Sequence, residues 1–145
     1  MLLIFLLFPF ATAWFDFRSV QSVRATGRLL CAGLPAKNVS VRLYDDDFFG
    51  KDTMQLGRTN HEGVFEVEGI DEEISWIDPY LDIYHQCEID NVEEKRRCTR
   101  TATIGIPSHF ITPLPIPEKT FQLGDFELRN LYAGGQNGKQ CSGYY

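Results

Sequence analysis

Apolar and polar residues alternate with a period of two through most of the chain. Val23, Ala25, Gly27, Leu29 and Cys31 interleave with Arg24, Thr26, Arg28 and Leu30, the mark of a strand with one buried face. Gly33-Leu34-Pro35-Ala36 reads as a turn. Val39, Val41 and Leu43 then alternate with Ser40, Arg42 and Tyr44 in a second strand. The run Asp45-Asp46-Asp47 is expected to end it and to open a polar loop reaching Asp52. A short strand over 56–60 and a turn at His61-Glu62-Gly63 follow, the glycine suiting positive φ. Phe65 and Val67 then oppose Glu66 and Glu68, and 71–79 reads as a loop with at most one helical turn over 71–76.

The second half repeats the pattern. Leu81, Ile83 and His85 alternate with Asp82, Tyr84 and Gln86, and Ala102, Ile104 and Ile106 alternate with Thr101 and Thr103. Four of the seven prolines lie in 107–117, which predicts an extended connector, since proline cannot donate to a ladder. Phe121 and Leu123 share one phase while Phe126 and Leu128 share the other. The slip across Gly124-Asp125 predicts a β-bulge. No window of ten or more residues has good helical periodicity. Seven to eight short strands with turn signals between them predict an all-β chain folded as an antiparallel β-sandwich.

The chain has 145 residues, enough for one domain with a buried core. Its net charge of −6 lacks the basic footprint of nucleic-acid binding. Leu2 to Phe10 are apolar and Ala11-Thr12-Ala13 follows, which reads as a secretory signal peptide over 1–13. That run is too short to span a bilayer and no later segment could, so the mature protein is expected to be extracellular and not transmembrane. An extension over 14–21, a sandwich over 22–132 and a tail over 133–145 complete the expected organisation.

Four cysteines in a short secreted chain read as two disulfides. Three pairings are open. Cys87 and Cys98 end one expected strand and begin the next, which favours a bridge across that hairpin and leaves Cys31 to pin the tail through Cys141. Asn38-Val39-Ser40 is an N-glycosylation sequon at a loop-to-strand boundary.

Several blocks then resemble the nematode transthyretin-like proteins. They are Val23-Arg-Ala-Thr-Gly-Arg-Leu-Leu-Cys31, Val39-Ser-Val-Arg-Leu-Tyr-Asp45, Gly57-Arg-Thr-Asn-His-Glu-Gly-Val-Phe65, Ile77-Asp-Pro-Tyr-Leu-Asp-Ile-Tyr-His-Gln-Cys87, Ile104-Gly-Ile-Pro107 and Phe121-Gln-Leu-Gly124. The resemblance covers about Ser22 to Cys141 and implies a secreted transthyretin-like sandwich with two disulfides. Such proteins are described as ligands or adaptors, one of them linking phosphatidylserine on dying cells to an engulfment receptor. Two relatives of the fold carry defined chemistry. Transthyretin binds thyroid hormone with a lysine whose equivalent here is Thr26. Hydroxyisourate hydrolase uses two histidines, an arginine and a C-terminal Tyr-Arg-Gly-Ser, whereas this chain ends Ser142-Gly143-Tyr144-Tyr145.

Neither site is matched, so no catalytic residue, metal ligand or cofactor is assigned. His61, His85 and His109 share no ligand spacing; the acidic run Asp45-Asp46-Asp47 with Asp52 offers oxygen ligands of the kind calcium takes, but it does not follow an EF-hand and reads as a solvated loop. The one basic cluster is Lys95, Arg96 and Arg97 with Arg100, expected at the tip and return of the Cys87–Cys98 hairpin. It is the candidate binding site. The reading is an extracellular binding or bridging protein that contacts a cell-surface protein or an anionic lipid. The alternatives are a carrier of small hydrophobic ligands in an oligomer channel and, more remotely, a hydrolase; a homodimer is compatible. Tyr44, Tyr80 and Tyr84 are either interface anchors or cross-strand pairs.

Overall fold

The computed structural model describes residues 18–129 and 138–142; the expected signal peptide lies outside them. The strands are β1 (Ser19–Cys31), β2 (Leu34–Pro35), β3 (Ser40–Asp47), β4 (Gly50–Arg58), β5 (Val64–Glu73) and β6 (Pro79–His85). A short helix α1 (Val92–Arg97) leads into β7 (Cys98–Gly105). A 3-10 turn at Ser108–Phe110, β8 (Phe121–Glu127) and β9 (Gly138–Cys141) follow. One sheet is built on β1, which pairs with β2, β5 and β8; the other runs β4-β3-β6-β7-β9.

The alternation seen in the sequence turns one face of each sheet inward. Val23, Ala25 and Leu29 of β1 and Phe65 and Val67 of β5 meet Val41 and Leu43 of β3, Leu81 and Ile83 of β6 and Ala102 of β7. Burying each larger side chain contributes about 1.5–3 kcal/mol. The expected bulge is present. Thr26 pairs with Gln122 and Arg28 with Asp125, so β8 holds one extra residue, and Gly124 takes φ +75° there.

Several expectations are corrected. The sandwich is not wholly antiparallel, because β8 runs parallel to β1. The proline-rich segment after β7 carries the chain from one sheet to the other, the kind of crossover a parallel pair needs. The acidic segment is not a loop: β3 continues to Asp47 and returns from Gly50 in a tight hairpin. Asp47 Oδ1 accepts from the Phe49 and Gly50 amides and closes that turn. β5 likewise continues to Glu73, and β1 begins at Ser19, ahead of the expected boundary. Part of the tail forms β9, paired with β7 from Cys98↔Cys141 to Thr101↔Gly138.

The disulfides are also corrected. The bridges are Cys31–Cys87 and Cys98–Cys141, not Cys87–Cys98 and Cys31–Cys141. The β6–β7 register would have set Cys87 opposite Cys98, but the ladder stops at His85↔Arg100. Beyond it Glu88 adopts φ +63° and α1 intervenes. Cys87 therefore meets Cys31 at the end of β1 and ties one sheet to the other, while β9 places Cys141 directly beside Cys98.

Candidate functional site

The basic cluster sits on α1, within the connection that joins the antiparallel pair β6 and β7. Asn91 caps the helix, its side chain accepting from the Glu93 and Glu94 amides. Glu93 and Glu94 occupy the first turn and Lys95, Arg96 and Arg97 the last, the order the helix dipole favours. Gln86 Nε2 donates to the Lys95 and Cys98 carbonyls at 2.6 and 3.1 Å, docking the helix end on β6. Arg96 pairs with Glu93, and Lys139 of β9 pairs with Glu94. Lys95 and Arg97 have no ion-pair partner among the described residues, and all three cations of the helix are exposed.

Arg100 does not join them. It lies in the inward phase of β7 with Cys98, Ala102 and Ile104, is half-buried, and has its Nε buried without a hydrogen bond among the described residues. Three of the four expected residues are thus together and the fourth is turned into the sandwich. The sequence carried a signal for the helix: an asparagine, then two acids, then three bases.

The outer face of the second sheet holds a polar groove of about 310 Å³ lined by Arg42, Lys51, Asp82, Tyr84, Thr101 and Thr103, among others. Asp82 is buried at its floor and accepts from Thr103 Oγ1 at 2.6 Å and from the Tyr44 and Tyr84 hydroxyls at 3.4 and 3.3 Å. Lys51 Nζ donates to Tyr44 Oη and lies 3.9 Å from Asp82. Burial pushes the Tyr44 phenol up, against the pull of Lys51, so it stays protonated. Tyr44 and Tyr80, opposite each other in β3 and β6, stack with ring centres 5.7 Å apart. This pair is cross-strand packing beneath Arg42 and Lys51, whose charges lie over the Tyr44 ring.

At the far end of the second sheet from α1, the inward phase of two strands turns from apolar to acidic. Val41 and Leu43 are followed by Asp45, and Phe65 and Val67 by Gly69, Asp71 and Glu73. Burial raises the Asp45 carboxyl; the Asp78 amide opposes this and Asp71, Asp47 and Asp78 add to it. Glu73 is raised as well, by desolvation and then by Asp47, Asp71 and Asp45. Around this end Phe48, Phe49, Ile74 and Trp76 are exposed.

The profile of the transthyretin-like family matches residues 26–107. Transthyretin-like protein 5 of Caenorhabditis elegans is 36% identical over 143 residues, covering 97% of this chain and 99% of that protein. The chain belongs to the transthyretin-like family. Transthyretin-like protein 2 of the same nematode is 33% identical, covering 79% of each chain. Transthyretin-like protein 46 is 33% identical over 78% of this chain and 63% of its own length. The two disulfides and these relatives are compatible with a secreted protein. Among the described residues no helix is long and apolar enough to cross a membrane.

Within this transthyretin-like sandwich Thr26 sits on the outer face of β1 and donates to the Phe65 carbonyl at 2.7 Å. It is flanked by the ion pairs Arg24–Glu68 and Arg28–Asp125. His61, His85 and His109 fall in a turn, in β6 and in the 3-10 turn, so the fold does not gather them into one element. Asn38 is exposed with φ +56°, and Arg58 donates to its side-chain oxygen at 3.3 Å.

Proposed function

We propose that this protein is a secreted binding or bridging protein that engages an anionic surface, of phosphatidylserine type, through the basic end of its second sheet. The observation that carries the reading is the exposed trio Lys95, Arg96 and Arg97 on a helix held by Asn91, Gln86 and the Cys98–Cys141 bridge. A positioned cluster loses less freedom on contact than the same charges on a loose loop. Each cation near an anionic bilayer contributes about 1 kcal/mol, so three change retention by two orders of magnitude. Asn38 is the expected glycan site and is exposed.

Co-sedimentation of the oxidised chain with phosphatidylserine vesicles, against phosphatidylcholine vesicles, tests this. Retention on the anionic vesicles alone, weakening between low and physiological salt, is the expected result. Equal retention on both lipids, or none on either, removes the lipid reading and leaves a protein receptor as the partner.

A further inference from the structure

We propose that Asp45, Asp71 and Glu73 form a binding site for a hard divalent cation of the calcium class, at the end of the sandwich opposite α1. One carboxylate oxygen from each residue lies within 4.8 Å of the others. Two oxygens that share one calcium ion at 2.3–2.6 Å stand at most about 5 Å apart, so a single ion can reach all three. The donors are carboxylates only, with no histidine or cysteine, which selects a hard cation over zinc or copper.

The position of these acids is built into both sheets. Asp45 continues the inward phase of Val41 and Leu43, and Asp71 and Glu73 continue that of Phe65 and Val67. Carboxylates from opposite layers are therefore aimed at one another where the apolar core ends. Gln21 is also turned inward here, but its amide is already engaged: Nε2 donates to the Ser75 carbonyl at 2.6 Å and Oε1 accepts from the Ile77 amide. Those bonds fix the segment that follows Glu73.

A second, independent observation points to a ligand. Asp45 is only 1% exposed, and its Oδ1 accepts from the Asp78 amide. Its Oδ2 is buried and has no hydrogen-bond donor among the described residues. Buried carboxylate oxygens are normally paired, hydrogen-bonded or bound to metal. The groups facing Asp45 are the acids Asp71, Asp47 and Asp78. Arg18 faces Glu73 from the start of the described chain. A cation between Asp45 and β5 would give Oδ2 its missing partner and neutralise the carboxylates together. Water would complete the shell, as it does in open calcium sites.

The test is isothermal titration of calcium chloride into the full oxidised chain, with terbium luminescence sensitised by Trp76 as a second readout. One ion per chain with a Kd on the order of 10⁻⁴–10⁻³ M is expected, the range of extracellular calcium modules with few charges. Asp45→Asn and Glu73→Gln should each weaken it at least tenfold. Glu66→Gln, on the outward phase of β5, should leave it unchanged. Glu73 is only half-buried, so its variant carries the reading if the Asp45 variant does not fold. No heat and no terbium signal up to 10 mM ion, or equal binding by wild type and both site variants, would overturn the proposal.

Discussion

The two ends of the second sheet are built on different principles. At the α1 end, charge is positive and exposed, and both disulfides tie the strands together. At the other end, charge is negative and partly buried, and the chain is held by hydrogen bonds from Gln21 and from the Asp78 amide. Solvated cations cost the fold little and remain available to a partner. Buried acids of like sign cost it more, and a fold keeps them only where something balances them. One end therefore presents charge that solvent reaches, and the other holds charge that the sheets partly enclose.

The largest effect should come from the cross-linked end. Replacing Cys31 and Cys87 by alanine removes the tie between sheets and reopens a loop with sequence separation 56. The chain-entropy account gives a loss of about 4 kcal/mol, read as a lower urea midpoint. Replacing Cys98 and Cys141 should cost less, because β9 is a four-residue edge strand that can fray without opening the core. Equal losses would show that the tail packs more firmly than its single ladder implies.

The acidic end should respond in the opposite direction. Without added cation, Asp45→Asn should stabilise the protein by about 1 kcal/mol at pH 7, since it removes a buried charge and supplies a donor. The pH dependence follows from the sign of the shifts. Asp45 and Glu73 titrate above their ordinary values, so the folded state holds more protons than the unfolded state in that range. Their contribution is complete below the ordinary carboxylate values and is lost as pH rises through the raised ones. Asp125, held low by its hydrogen bond from Arg28, works the other way and adds stability as pH rises through its lowered value. Thermal melts from pH 3 to 7 should show the Asp45→Asn variant losing part of the decline. An unchanged profile would place the decline elsewhere.

The smallest stability effect belongs to α1. Reversing Lys95, Arg96 and Arg97 to glutamate should move the urea midpoint by an amount equivalent to about 0.5 kcal/mol or less, because the side chains are exposed. A large loss would mean that the basic end is structural and not a contact surface.

Much of this fold was legible in the chain. The period-two pattern of Val23 to Cys31, the pairing of β6 with β7 and the slip at Gly124 all follow from side chains alternating across a pleat. The register even set Cys87 against Cys98; the error was to let the ladder run two residues too far, past the point where Glu88 and α1 redirect it. α1 was hidden because six residues are too few for a helical period, and its cap and charge order are the signal to read instead. Asp45 was hidden for a different reason. An acidic triplet looks solvated in sequence, and nothing local tells that β3 carries it inward to meet Asp71 and Glu73 from another sheet. Long-range contacts of that kind are created by the layering of the sheets, which alternation alone does not encode.

The most direct test of the binding claim is co-sedimentation of wild type and the Lys95→Glu, Arg96→Glu, Arg97→Glu variant with phosphatidylserine vesicles in EDTA at physiological salt. With divalent cations removed, no ion can bridge the acidic end to the lipid, and the charge reversal isolates the part that Lys95, Arg96 and Arg97 contribute. Wild-type protein in the pellet and the variant in the supernatant is the predicted result. Equal pelleting of the two proteins would contradict the account and move the contact surface away from α1.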